Sequence, residues 1–246
     1  MNPPPAVFAG GIANWSVMPS FFKIALLVLR KDFAIEVRSY EILSTTVFFA
    51  VSCVLIFSFA FVKDGEAINA AMVPAGVLWI AVAFAGLLAL GRVFERERYG
   101  ETLRALLLAP APRPAIYVGK LLGVMLVLFA TEVLLVPMIA FIFHAPLLKR
   151  VLPLTGLLVT GTIGFAAVGT LFAAMLVRSR AREVMLPILL YPITIPVLIG
   201  GVWGTAALLG EEPAVPVAVM WMGLLASFDV VFVTLALWTF EPLMTE

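Results

Sequence analysis

The chain has 246 residues, 63% of them hydrophobic and 13% charged, at a mean hydropathy of +1.13; a soluble domain is about 45–50% apolar and about 25% charged. That excludes a soluble globular domain and marks an integral membrane protein. The net charge of +1 provides no overall field for nucleic acid, and a single cysteine, Cys53, excludes an intrachain disulfide framework and a cysteine-based zinc site.

Residues 1–20 have neither a basic start nor a sustained apolar core ending in a small-residue cleavage site, so they are expected to be a mobile tail and not a secretory signal. A start at Met18 instead of Met1 is the alternative, open to an N-terminal mass measurement. From Phe21 a helical period appears. Phe22, Leu26, Leu29, Phe33, Val37 and Tyr40 share one face, while Lys31, Asp32, Arg38 and Ser39 fall elsewhere. This pattern predicts an amphipathic helix lying in the membrane interface.

A membrane span needs about 20 mainly apolar residues, and six stretches qualify: residues 42–62, 71–91, 115–143, 151–177, 184–203 and 215–240. Residues 21–246 are therefore read as a single transmembrane domain of all-α class. Lys23, Arg30, Lys31, Arg38, Arg92, Arg96, Arg98, Arg104, Arg113, Arg178, Arg180 and Arg182 fall on one side of these spans, against Lys63, Lys149 and Arg150 on the other. The positive-inside rule then predicts cytoplasmic N- and C-termini, with Lys149 and Arg150 dissenting.

Between the second and third spans, RVFERERYGETLRALLLAPAPRP concentrates charge. Gly100 breaks the run, and residues 101–108 can form a short helix stopped by Pro110, Pro112 and Pro114. Glu101 and Arg104 are three apart and can pair, and Leu103, Leu106 and Leu107 supply an apolar face. A solvated loop satisfying the charge rule would need neither the prolines nor the leucines. The pattern predicts a cytoplasmic coupling helix that seats in a groove of a soluble partner.

Other motifs are weaker. The only Gly-Lys pair, Gly119-Lys120, has Pro114 where a Walker A glycine would stand, so no P-loop is present. His144 is the sole histidine, which rules out a complete HExxH site and leaves at most one Ser-His-Asp triad, for which no other member is identified. We read His144 as an interfacial loop residue, with metal or haem ligation as the alternative, and assign no catalytic or metal residues. Glu132 and Asp229 lie within spans, where an ionised carboxylate costs about 2.5–3.5 kcal/mol on insertion scales. They are candidate intramembrane polar sites; the alternatives are a protonated Glu132 bonded to a neighbouring helix and an Asp229 nearer the interface. Pro187, Pro192 and Pro196 predict a bent fifth span. Gly119-x-x-x-Gly123 and Gly200-x-x-x-Gly204 permit close helix approach.

An interfacial helix, six spans and a short helix after the second span resemble the membrane subunit of an ABC-2-type exporter. More narrowly, FERERYGETLRALLLAPAPRPAIYVGKLLGVMLV resembles the F-E-R-E-x-x-x-G-x-L-x-x-LLL-x-P-x-P…GK signature of the CcmB family, the haem exporter B subunits of cytochrome c maturation. GTIGFAAVGTLFAAMLVRSRAREVMLPILLYPITIPVLIGGV is similar to a second stretch of that family. The resemblance covers residues 21–240. It implies a bacterial inner-membrane permease subunit that is not itself an enzyme and binds no cofactor firmly, with haem as substrate and ATP bound by a partner. The implied partners are two copies of a cytoplasmic ATPase, a second copy of this chain, a haem-handling membrane subunit and a small single-span subunit. Phe94, Glu95, Arg96, Glu97, Gly100, Glu101 and Leu103 are the implied ATPase-coupling residues. Alternatives are an exporter of a lipid, glycan or drug, an intramembrane enzyme using Glu132 and Asp229, and an assembly scaffold.

Overall fold

The computed structural model describes residues 21–63, 66–67, 71–94, 112–177, 179–210 and 212–243. Among them, helix α1 (Phe21–Ser39) precedes six helices long and apolar enough to span a membrane: α2 (Glu41–Phe61), α3 (Met72–Arg92), α4 (Arg113–Ile142), α5 (Val151–Met175), α6 (Arg182–Leu209) and α7 (Val215–Leu243). The protein is a multi-pass membrane protein of all-α class, helical apart from one two-residue strand pair. A 3₁₀ turn, Pro146–Arg150, leads into α5. Two short strands not expected from the sequence, β1 (Val62–Lys63) and β2 (Glu66–Ala67), pair antiparallel between α2 and α3.

The six spans fall where the apolar runs placed them, and the differences are at the ends. The fifth reaches Leu209, six residues past the expected Trp203. It is one uninterrupted helix with Pro187, Pro192 and Pro196 inside it, the last two exposed on its outer side. Each proline frees the carbonyl four residues back without ending the helix.

Packing places α3 and α5 at the centre. Their most apolar windows are 67% and 56% buried, against 22% for α2 and 17% for α7, so the last two offer most of their surface to lipid. The centre is held by large side chains seated over glycines. Trp79 of α3 enters between α5 and α6: a Cβ at Gly161 would lie 2.1 Å from its ring, and one at Gly201 2.3 Å. Its indole N–H donates to Thr205 Oγ1 at 3.0 Å, so the polar edge of the ring is satisfied. Leu90 over Gly169 and Phe165 over Gly86 repeat the arrangement at 2.1 and 2.4 Å. Lipid tails are as apolar as leucine, and close packing of this kind drives helix association in a membrane.

Helix α1 packs along α4 through Ile24, Ala25 and Val28, its small and branched residues. On the apolar face picked out by the period, Phe22, Leu26, Phe33, Val37 and Tyr40 are all exposed. That face is available to lipid, as an interfacial helix requires. The helix stops at Tyr40, which has φ 51°, and α2 starts at once. Glu36 bridges the break, its Oε1 accepting the Leu43 N–H at 2.8 Å. This satisfies one of the donors that a helix N-terminus leaves open.

Candidate functional site

The last turn of α3 runs directly into the charged segment, and its carbonyls are orphans of the helix end, carrying negative partial charge. Two cations from neighbouring helices meet them. Lys120 of α4 donates to the Val93 carbonyl at 3.0 Å, and Arg182 of α6 donates to the Leu90 carbonyl at 3.0 Å. Arg92, on the same turn, reaches Glu41 at the start of α2 at 3.0 Å. The end of α3 is thereby tied to three other spans.

Lys120 is the centre of this junction. It is 1% exposed, and a buried ammonium is tolerated only when its charge and donors are met. Its Nζ lies 2.8 Å from Asp32 Oδ2 of α1 and 5.4 Å from the centre of the Phe94 ring. Phe94 is itself buried, so carboxylate, carbonyl and ring share the cation. The preceding Gly119 makes the geometry possible. A Cβ there would stand 2.8 Å from the Ala25 carbonyl oxygen and 2.7 Å from Val28, so only glycine lets α1 come this near. Gly123 behaves differently: a Cβ on it would meet nothing within 4 Å. The small-residue pair is thus one point of close approach and one point of open space.

The two intramembrane acids are brought to neighbouring positions on α5. Glu132 is buried in α4, and Thr162 Oγ1 donates a hydrogen bond to its Oε1. Asp229 lies at the middle of α7, with Oδ1 aimed at Gly164, where a Cβ would come within 2.6 Å of it. That oxygen is buried without a hydrogen-bond partner among the described residues. Removing the hydroxyl in Thr162→Val strands the Glu132 carboxyl and is expected to cost about 1–3 kcal/mol, read as a lower unfolding temperature in detergent. Thr162→Ser should lie close to wild type; equal losses in both variants would show that the hydroxyl contributes nothing.

Of the residues expected to couple to an ATPase, Phe94 is placed at the junction; Glu95, Arg96, Glu97, Gly100, Glu101 and Leu103 lie outside the described residues, as does the expected coupling helix. His144 is exposed in a left-handed turn after α4, with φ 51°. Among the described residues no three His, Cys, Asp or Glu side chains gather as a metal site would require. Arg150, one of the two dissenting charges, donates to the Leu208 carbonyl at the end of α6 at 3.0 Å, where a helix C-terminus favours a cation.

Lys120, Asp32 and Arg182 were not singled out from the sequence as site residues. A signal existed for the first: a lysine inside an apolar run starting at Ala115 is costly there and implies a partner.

Comparison with known proteins fits the whole helical array. A "Heme exporter protein B" of Rhodobacter capsulatus is 29% identical over 174 residues, covering 71% of this chain and 78% of the relative. A "Heme exporter protein B" of Pseudomonas aeruginosa is 28% identical over 178 residues, covering 72% and 78%. Residues 23–242, from α1 to the end of α7, match the family described as "CcmB protein". The chain therefore belongs to the CcmB family.

Proposed function

We propose that this chain is the membrane subunit of an ABC transporter complex for cytochrome c maturation, turning ATP hydrolysis in a partner into haem export or haem release to a carrier outside the membrane. Family membership supports the complex. The observation that carries the coupling role is Lys120, which joins α1, the end of α3 and the start of α4 at the root of the charged segment.

In this reading two cytoplasmic ATPase subunits seat on residues 95–103 of two copies of this chain, with the buried Phe94 anchoring that segment to the bundle, beside a haem-handling subunit and a small single-span subunit. The chain sits in a bacterial inner membrane with both termini in the cytoplasm. It holds no catalytic group and no resident cofactor; ATP is bound by the partner and haem is the cargo. ATPase closure displaces the charged segment. Lys120 passes the displacement to Asp32 and so to α1, Arg92 passes it to α2 through Glu41, and Arg182 to α6. A nucleotide-driven equilibrium between two arrangements of the bundle follows.

The test is co-purification. Glu101→Arg, or a bulky residue at position 100, is expected to leave the chain inserted but to remove the ATPase from the purified complex and abolish maturation. Unchanged recovery of both would rule out the docking role. Recovery of a haem-handling subunit with the wild-type chain distinguishes haem from a lipid, glycan or drug as cargo.

A further inference from the structure

The six charged side chains of α1 are sorted by sign around the helix. Lys23, Arg30, Lys31 and Arg38 are all exposed, and at 3.6 residues per turn they fall within an arc of about 100°. Both carboxylates stand on the other side, engaged with the bundle. Asp32 lies 3.1 Å from Lys31 and 2.8 Å from Lys120 of α4. Glu36 caps α2 through Oε1, and protein covers its Oε2. The positive-inside rule asks for cations on this side of the membrane, but not for their gathering on one face of one helix.

Beside the cationic arc, Phe22, Leu26, Phe33 and Val37 form an exposed apolar strip. It adjoins a cavity of about 150 Å³, walled by Phe33, Ile35 and Val37 of α1 and by Leu43, Val124 and Val127 of α2 and α4. Gly123 lines the cavity, and a Cβ on it would meet nothing within 4 Å, so this glycine keeps space open. The charged lining is net cationic: Lys31, Arg92 and Lys120 against Asp32 and Glu36. With the Glu41 that holds Arg92 included, α1 and the lining together carry six cations against three carboxylates. An acidic peptide or a nucleic acid would use the charge but not the apolar strip or the cavity. A zwitterionic lipid would use the apolar surface and gain nothing from the excess charge.

We propose that α1 is a binding site for anionic phospholipid, with headgroups held along Lys23, Arg30, Lys31 and Arg38 and one acyl chain entering the cavity past Gly123. A basic amphipathic helix lies with its apolar face among acyl chains and its cations at headgroup level, and each cation there favours an anionic lipid. Lys31 serves both parts, since it belongs to the cationic arc and lines the cavity. This site does not depend on the coupling role of the Lys120 junction, although it lies beside it.

Native mass spectrometry of the full purified chain, given equal amounts of dioleoyl-phosphatidylglycerol, -phosphatidylethanolamine and -phosphatidylcholine, tests this. Phosphatidylglycerol is expected to be retained about tenfold better than either zwitterionic lipid. Lys23→Gln, Arg30→Gln and Arg38→Gln combined leave the Lys120 junction untouched and should abolish the preference. The charge-keeping set Lys23→Arg, Arg30→Lys and Arg38→Lys should preserve it. Gly123→Leu fills the cavity and should lower retention of phosphatidylglycerol severalfold. Equal retention of the three lipids by wild type would overturn the proposal and leave the strip to an acidic protein surface. So would a preference that survives the glutamine set or is lost in the charge-keeping set, or unchanged retention in Gly123→Leu. Displacement of the lipid by soluble glycerol phosphate at matched concentration would make this a free-phosphate site and overturn it as well.

Discussion

Asp32→Asn is expected to destabilise the detergent-solubilised chain by about 3 kcal/mol, at the lower end of the 3–5 kcal/mol typical when one partner of a buried ion pair is removed. The lower end applies because Asp32 retains some exposure, 24% of its side chain, whereas that of Lys120 retains 2%. The loss arises mostly from the lysine left behind: its ammonium keeps the Val93 carbonyl and the Phe94 ring but has lost the Asp32 carboxylate. The double variant Asp32→Leu with Lys120→Met separates stability from function. Replacing both charges with apolar groups of similar size is often neutral, so thermal unfolding should return close to wild type. Maturation in cells should stay lost, because α1 is no longer tied to the end of α3. Recovery of maturation along with stability would make the pair a structural staple without a part in coupling.

The second large effect is expected at the centre of the bundle. Gly161→Val places two methyl groups where the Trp79 ring already stands, the Cβ alone 2.1 Å from it. Trp79 has no easy retreat, since its ring also lies against Gly201 on α6, where an added Cβ would stand 2.3 Å from it, and Thr205 holds its N–H. The variant should insert normally but lose folded protein, by at least the 1–3 kcal/mol typical of overpacking. Combining it with Trp79→Ala should recover part of that loss, since the valine then fills space the indole vacated. Size-exclusion profiles and unfolding temperatures report both outcomes. Additive losses in the double variant would mean that the two residues do not meet.

Much of the architecture was legible because a membrane span is an uninterrupted apolar run of the right length. What the sequence did not show was mostly partnership. The period in residues 22–40 located the exposed apolar face of α1 but not the face that packs; packing falls to Ile24, Ala25 and Val28, which leave room for approach. The fifth span runs past its expected end at Trp203 to Leu209, through Gly200, Gly201, Gly204 and Thr205. Three of them are seats for Leu225, Trp79 and Leu157, and the threonine holds the indole. Arg92 and Arg182 were counted as charges that orient the chain, which hid their second use at a helix end. Gly119-Lys120 was screened as a nucleotide motif and set aside on that ground. Its physical use depends on Asp32 and Val93, residues remote in the sequence, and no local pattern announces such a meeting.

The seats on α3 and α5 also set a limit on how this bundle can change shape. Trp79, Phe165 and Leu90 alternate between the two helices, each lodged over a glycine of its neighbour. Sliding either helix along its axis would have to unseat all three together. The pair therefore behaves as one stiff strut, and α6 travels with it through Trp79. From Leu90 to Trp79 is eleven residues, about 16 Å at 1.5 Å per residue. A displacement applied at the charged end is expected to reach that depth, and compliance is expected in the less buried helices around the pair, α2 and α7 most of all.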